Sequence, residues 1–99
     1  MDLKALYVIV NAGFASRIVD IARGEGAGGA TILNARGSVE KPHTIMGITI
    51  DSEKEIVLTV VDREKAVRIM AKVKELAGVG TPAHGLCFFV PVEMSTLSV

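Results

Sequence analysis

Apolar residues along the chain alternate between dense strand-like runs and helical spacing, and they do so twice. Leu6 to Val10 (LYVIV) concentrates β-branched and aromatic side chains, which predicts a buried strand. From Phe14 to Arg23 the apolar positions fall at 14, 15, 18, 21 and 22, one face of a helix. Gly24, Gly26, Gly28 and Gly29 close that segment, and Thr31 to Ala35 (TILNA) predicts a second strand. Glu55 to Val61 (EIVLTVV) begins the plan again. Asp62 is a good N-cap for a helix over 63–77, whose apolar positions 66, 69, 70, 73, 76 and 77 keep helical spacing throughout. Gly78 is the expected stop, and Leu86 to Val92 (LCFFVPV) is the last strand, with Pro91 placing its end at a sheet edge.

The order is therefore β-α-β, a long connection, then β-α-β. Right-handed crossovers turn that order into an α+β, ferredoxin-like βαββαβ fold, a four-stranded antiparallel sheet with two helices on one face. A sheet with one free face should alternate toward polar residues on that face. Here Tyr7 and Ile9 lie between Leu6, Val8 and Val10, and Phe88 lies between Cys87 and Phe89. Both strand faces are apolar, so the face without helices is expected to pack against other subunits.

Composition supports the same expectation. The sequence has 99 residues, 49% of them hydrophobic, and a mean hydropathy of +0.44. We read residues 1–99 as one domain, and so small a domain has a modest core. Lys+Arg and Asp+Glu number 11 each, so the formal net charge is zero and no long-range field favours nucleic acid. Aromatic residues make up only 4%, which leaves few base-stacking platforms. Cys87 is the only cysteine, which excludes an intrachain disulfide and suits a reducing compartment. The run Ala5 to Val10 is too short for a signal peptide core or a membrane span, so the expected location is the cytoplasm.

Two connections attract attention as sites. The segment from Gly37 to Asp51 is long for a hairpin loop, and the segment from Gly78 to Gly85 is rich in Gly and Pro. Gly24-x-Gly26-x-x-Gly29 matches a dinucleotide fingerprint in letters only. That chemistry needs the glycines between a strand and a following helix, whereas these follow a helix, so they read as a stop and a turn. His43 and His84 lie on the two connections, but with Cys87 they make no diagnostic metal spacing. Cys87 lies in an apolar strand, where an inert thiol is expected. Serines and histidines form no nucleophile signature, so the chain is not expected to be an enzyme. Glu53 and Glu55 flank Lys54 and read as a solvated strand start. Ser52-x-x-Glu55 resembles a capping box, but β-branched residues follow it, so it reads as a turn. The glycines of 78–85 offer backbone N–H groups to an anion or form a plain connection.

Taken in order, the β-α-β plan, GATILNARG (29–37), the long hairpin connection, EIVLTVV (55–61) and the Gly-rich loop before CFFVPVE (87–93) resemble the PII signalling superfamily over residues 4–93. The resemblance implies a homotrimer with a small-molecule effector, adenine nucleotides among the candidates, bound in clefts between subunits. It also implies a loop over 38–50 that docks onto a regulated protein, a membrane transporter among the candidates, in nitrogen or carbon assimilation. Thr31 and Gly37 match positions that face the nucleotide in such proteins. Ser38 and Val39 of one chain, with Gly80, Thr81, His84 and Gly85 of a neighbour, complete the implied ligand site. Lys41, His43 and Met46 are the implied partner contacts.

The carry-over is incomplete. Val39 and Glu40 replace a glycine and an arginine that help to hold phosphate, and Pro82-Ala83-His84-Gly85 replaces Gly-Asp-Gly-Lys, with Leu86 after it. The hairpin connection has no tyrosine, and residues 94–99 carry no arginine. Each charge-assisted phosphate contact is worth about 1.5–3 kcal/mol, so these losses argue against tight ATP binding. Lys41, His43 and His84 are the residues available to restore positive charge. The alternative on the same fold is a trimeric divalent-metal protein of the CutA type, which would use His43, His84 and Cys87. A small ferredoxin-like isomerase and a purely structural oligomer are the further alternatives.

Overall fold

The computed structural model describes residues 2–38, 43–45, 48–50 and 52–97, with only the backbone for 43–45 and 48–50. In chain order the elements are β1 (Leu3–Asn11), α1 (Ala15–Gly24), β2 (Thr31–Gly37), β3 (His43–Ile45), β4 (Ile48–Ile50), β5 (Ser52–Asp62), α2 (Arg63–Ala77) and β6 (Leu86–Pro91). The main sheet has four strands in the order β2-β5-β1-β6, and all its pairings are antiparallel. This is the ferredoxin-like arrangement that the sequence pattern predicts. Within the long connection, β3 and β4 form a separate two-stranded sheet that pairs His43 with Ile50 and Ile45 with Ile48. The sequence pattern did not resolve these short strands.

Register explains the core. Leu6, Val8 and Val10 of β1 stand opposite Thr59, Val57 and Glu55 of β5 on one face. The first three pack with Val57, Val61, Ile18, Ile69 and Val73 in a cluster whose members are nearly all fully buried. Each such Leu, Ile or Val contributes about 1.5–3 kcal/mol on burial, so this face, which holds both helices, supplies most of the stabilisation. Thr59 is also buried, and its hydroxyl donates to the Gly29 carbonyl at 2.6 Å, which ties the turn before β2 onto the sheet.

The opposite sheet face is apolar as well. Tyr7 stands opposite Phe88, and their rings stack at 5.1 Å with 14° between planes. Leu86, Phe88 and Val90 alternate along β6 and are all exposed, as is Leu33 on β2. The two edge strands, β2 and β6, lie on opposite sides of this face.

The helix over Arg63–Ala77 has the bounds that its periodicity predicts, and the Asp62 carboxylate accepts the Lys65 N–H at 2.9 Å as its N-cap. That hydrogen bond, ahead of opposing desolvation, holds the Asp62 carboxyl below its ordinary range. The helix stops at Gly78, as expected. Gly78 is extended (φ −72, ψ −172) and forms a parallel bridge with Gly85. Gly24 ends α1, and Gly26 at φ +98 carries the turn that follows, so the GxGxxG letters form a helix stop.

Candidate functional site

Where β1 runs into α1, the chain turns at Gly13, whose φ of +97 is open to glycine without strain. Glu55 of β5 reaches this turn, and its Oε1 accepts the N–H groups of Gly13 at 2.7 Å and Ala15 at 3.2 Å. Phe14 at the N-cap contributes no side-chain bond, so a carboxylate from a distant strand closes the helix start instead. Glu55 is therefore a helix-capping group, not a solvated strand start, and Ser52 to Glu55 is strand throughout. Asn34, Arg36, Glu53 and Glu55 line a cleft of about 610 Å³ beside this turn.

The Gly-rich connection 78–85 is closed by its own hydrogen bonds. Thr81 donates its N–H and its hydroxyl to the Gly78 carbonyl, His84 N–H reaches the Thr81 carbonyl, and Gly85 N–H reaches the Ala77 carbonyl at 2.8 Å. A Cβ at Gly85 would collide with that Ala77 carbonyl oxygen, so the crossing demands glycine. His84 sits at φ +49 with Nδ1 2.8 Å from the Val79 carbonyl. A carbonyl only accepts, so Nδ1 carries a proton. Asn11 at the end of β1 seals the loop from below, its backbone N–H donating to Ala83 and its side-chain amide to Pro82, each at 2.9 Å. Lys54 of β5 in turn donates to Asn11 Oδ1 at 2.6 Å.

The residues that the sequence marks divide between two sheet edges. Thr31 and Gly37 lie on β2, opposite Leu58 and Ser52, and the exposed Ser38 follows them. Gly80, Thr81, His84 and Gly85 lie on the loop that feeds β6, at the other edge. Within one chain these two groups do not meet. Val39, Lys41 and Met46 lie outside the described residues, as does the side chain of His43. Of the four loop residues, Gly80 alone has an N–H outside the internal bonding pattern. A second cleft, about 460 Å³, opens between α2 and β6 and includes Gly80 and Gly85 in its lining. Cys87 also lines it, with its thiol pushed up to about 11 by burial.

Three residues of this end of the sheet were missed by sequence reasoning: Asn11, Lys54 and Glu55. Their contacts join positions 40 or more apart in the chain, and no local spacing announces them. Among the described residues no group of three or more His, Cys, Asp or Glu side chains could hold a metal ion. Among the described residues, too, no helix is long and apolar enough to cross a membrane.

Comparison with family models and with curated protein sequences finds no match. Solved structures do match. A protein from Thermus thermophilus assigned to the PII-like signalling proteins is 25% identical, with a TM-score of 0.70 over 93% of this chain and 91% of that one. CPII, a nitrogen regulatory PII-like protein from Thiomonas intermedia solved with ADP, AMP and bicarbonate, is 15% identical, with a TM-score of 0.70 and the same coverages. The periplasmic divalent cation tolerance protein CutA from Archaeoglobus fulgidus is 15% identical, with a TM-score of 0.68 over 94% of this chain and 86% of that one. The chain is thus a divergent structural relative of the PII-like signalling proteins.

Proposed function

We propose that this protein is a cytoplasmic, PII-like regulator that works by binding rather than catalysis, as a single domain assembled into a homotrimer. A small anionic metabolite would sit where residues 31–40 of one chain meet residues 80–86 of the next. Its occupancy would set the conformation of the segment 38–50, which in turn contacts a regulated protein. Such coupling requires the conformers to differ in ligand affinity.

The observation that carries this reading is the placement of the two halves. Thr31 and Gly37 are on one sheet edge, and Gly80 to Gly85 feed the other. The face between them exposes Leu33, Leu86, Phe88 and Val90. Packing that face against another copy removes apolar area from water and brings opposite edges together. Glu40 and the run Pro82-Ala83-His84-Gly85, which stand where the resembled family holds phosphate, favour ligands with few phosphates or a small anion.

The test combines light scattering with a thermal-shift screen against ATP, ADP, AMP, cyclic nucleotides, 2-oxoglutarate, bicarbonate and divalent metals. We expect a trimer, and a stabilisation of about 2.7 kcal/mol at 100 times the dissociation constant of the true effector. A monomer at micromolar concentration would sink the intersubunit site. Stabilisation by metals alone would transfer the assignment to the CutA type, whose fold matches comparably.

A further inference from the structure

Resting on that reading, we propose that the cleft between α2 and β6 is the ligand-discriminating half of the site, and that it takes an amphiphilic monoanion. Such a ligand has an apolar body and a single carboxylate or equivalent group. Met70, Val73 and Cys87 give the cleft an apolar floor, and its volume of about 460 Å³ suits a small organic molecule. Among the described residues Lys74 is the only charged one in its lining, and it has no ion-pair partner among them.

Two features of the backbone set the sign and the amount of charge. The cleft lies at the last turn of α2, where the helix dipole is negative and dense negative charge is disfavoured. One ammonium there balances one anionic group and leaves a polyphosphate uncompensated. Meanwhile the carbonyls of Ala77, Gly78, Val79, Thr81, Pro82 and Ala83 already accept hydrogen bonds from within the chain. The loop has few acceptors left for a ligand's donors, yet Gly80, an exposed residue of the cleft lining, keeps an N–H with no partner among the described residues. An acceptor-bearing, singly charged head on an apolar body fits all of these conditions.

The experiment is an NMR titration of the full chain, following backbone amides, with sodium octanoate, 1-octanol and ATP as probes. Lys74→Gln and Lys74→Arg are run beside the wild type. We expect saturable octanoate shifts at Val79, Gly80 and Cys87, about tenfold weaker binding in Lys74→Gln, and retention in Lys74→Arg. Octanol is expected to bind more weakly than octanoate in the wild type and equally in Lys74→Gln. The assignment is overturned if octanoate perturbs only Tyr7 and Phe88, if Lys74→Gln binds it unchanged, or if ATP occupies the same amides more tightly. Nucleotide stabilisation without an octanoate response removes the ligand class and leaves the regulator standing. Octanoate binding by a monomer keeps the cleft and removes the shared site instead.

Discussion

The Lys54 ammonium lies 2.6 Å from Oδ1 of Asn11, while the amide nitrogen of the same asparagine donates to the Pro82 carbonyl at 2.9 Å. Since Lys54 stands next to the Glu53–Arg36 pair of β5 and β2, this bridge ties the hairpin side of the sheet to the Gly-rich loop. Asn11→Ala should cost about 0.5–1.5 kcal/mol, because it removes both hydrogen bonds but leaves their partners within reach of water. Asn11→Asp keeps the lysine contact and loses only the donor to Pro82, so it should cost less. Lys54→Met combined with Asn11→Ala should be non-additive by at least about 0.5 kcal/mol in urea unfolding. Strict additivity would mean that the two contacts are independent.

Glu55 caps α1 from a strand on the other side of the fold. Glu55→Ala is expected to destabilise by about 1 kcal/mol, with Glu55→Gln recovering part of the loss through its amide oxygen. Hydrogen exchange should localise the damage to residues 13–18. Uniform loss of protection across the chain would instead argue for a global packing role.

Gly85 and Gly80 are five residues apart and should behave oppositely. Gly85→Ala forces a methyl into the Ala77 carbonyl and should cost about 1–3 kcal/mol, whereas Gly80→Ala meets open space and should stay within about 0.5 kcal/mol. Melting curves of the two variants decide the point. Equal melting temperatures would contradict the close approach at Gly85.

Asp62 gives a pH signature. Its folded carboxyl titrates below the ordinary 3.8, so its stabilisation is present above that value and is lost as pH falls through the lower folded one. Asparagine also caps helices, so Asp62→Asn removes the charge and keeps a cap. The wild type should melt above Asp62→Asn at neutral pH, and the gap should close as the solution is acidified below 3.8. A gap independent of pH would locate the effect elsewhere.

How much of this was legible in advance follows from the range of the interactions. The helix over Arg63–Ala77 was readable to the residue because its apolar positions repeat and Asp62 caps it locally. The strand β5 was expected to begin at Glu55 but begins at Ser52, since Ser52, Glu53 and Lys54 carry no apolar alternation and are recruited by pairing with Gly37, Arg36 and Ala35. The loop 78–85 reads from its glycines as an anion-facing turn or a plain connection. It is instead closed by Asn11, which lies 71 positions from Pro82 in the chain. The apolar character of the free sheet face was visible in the alternation itself, because register converts every second residue into a surface.

The separation of Thr31 and Gly37 from Gly80 and His84 onto opposite sheet edges has a genetic corollary. A ring of such subunits would place some of its junctions between two different gene products when two alleles are expressed together. An allele damaged only at β2 and an allele damaged only at the Gly-rich loop would each be silent alone. Mixed, they would rebuild some junctions from their two undamaged edges, so complementation between them would reveal shared sites without any ligand being known.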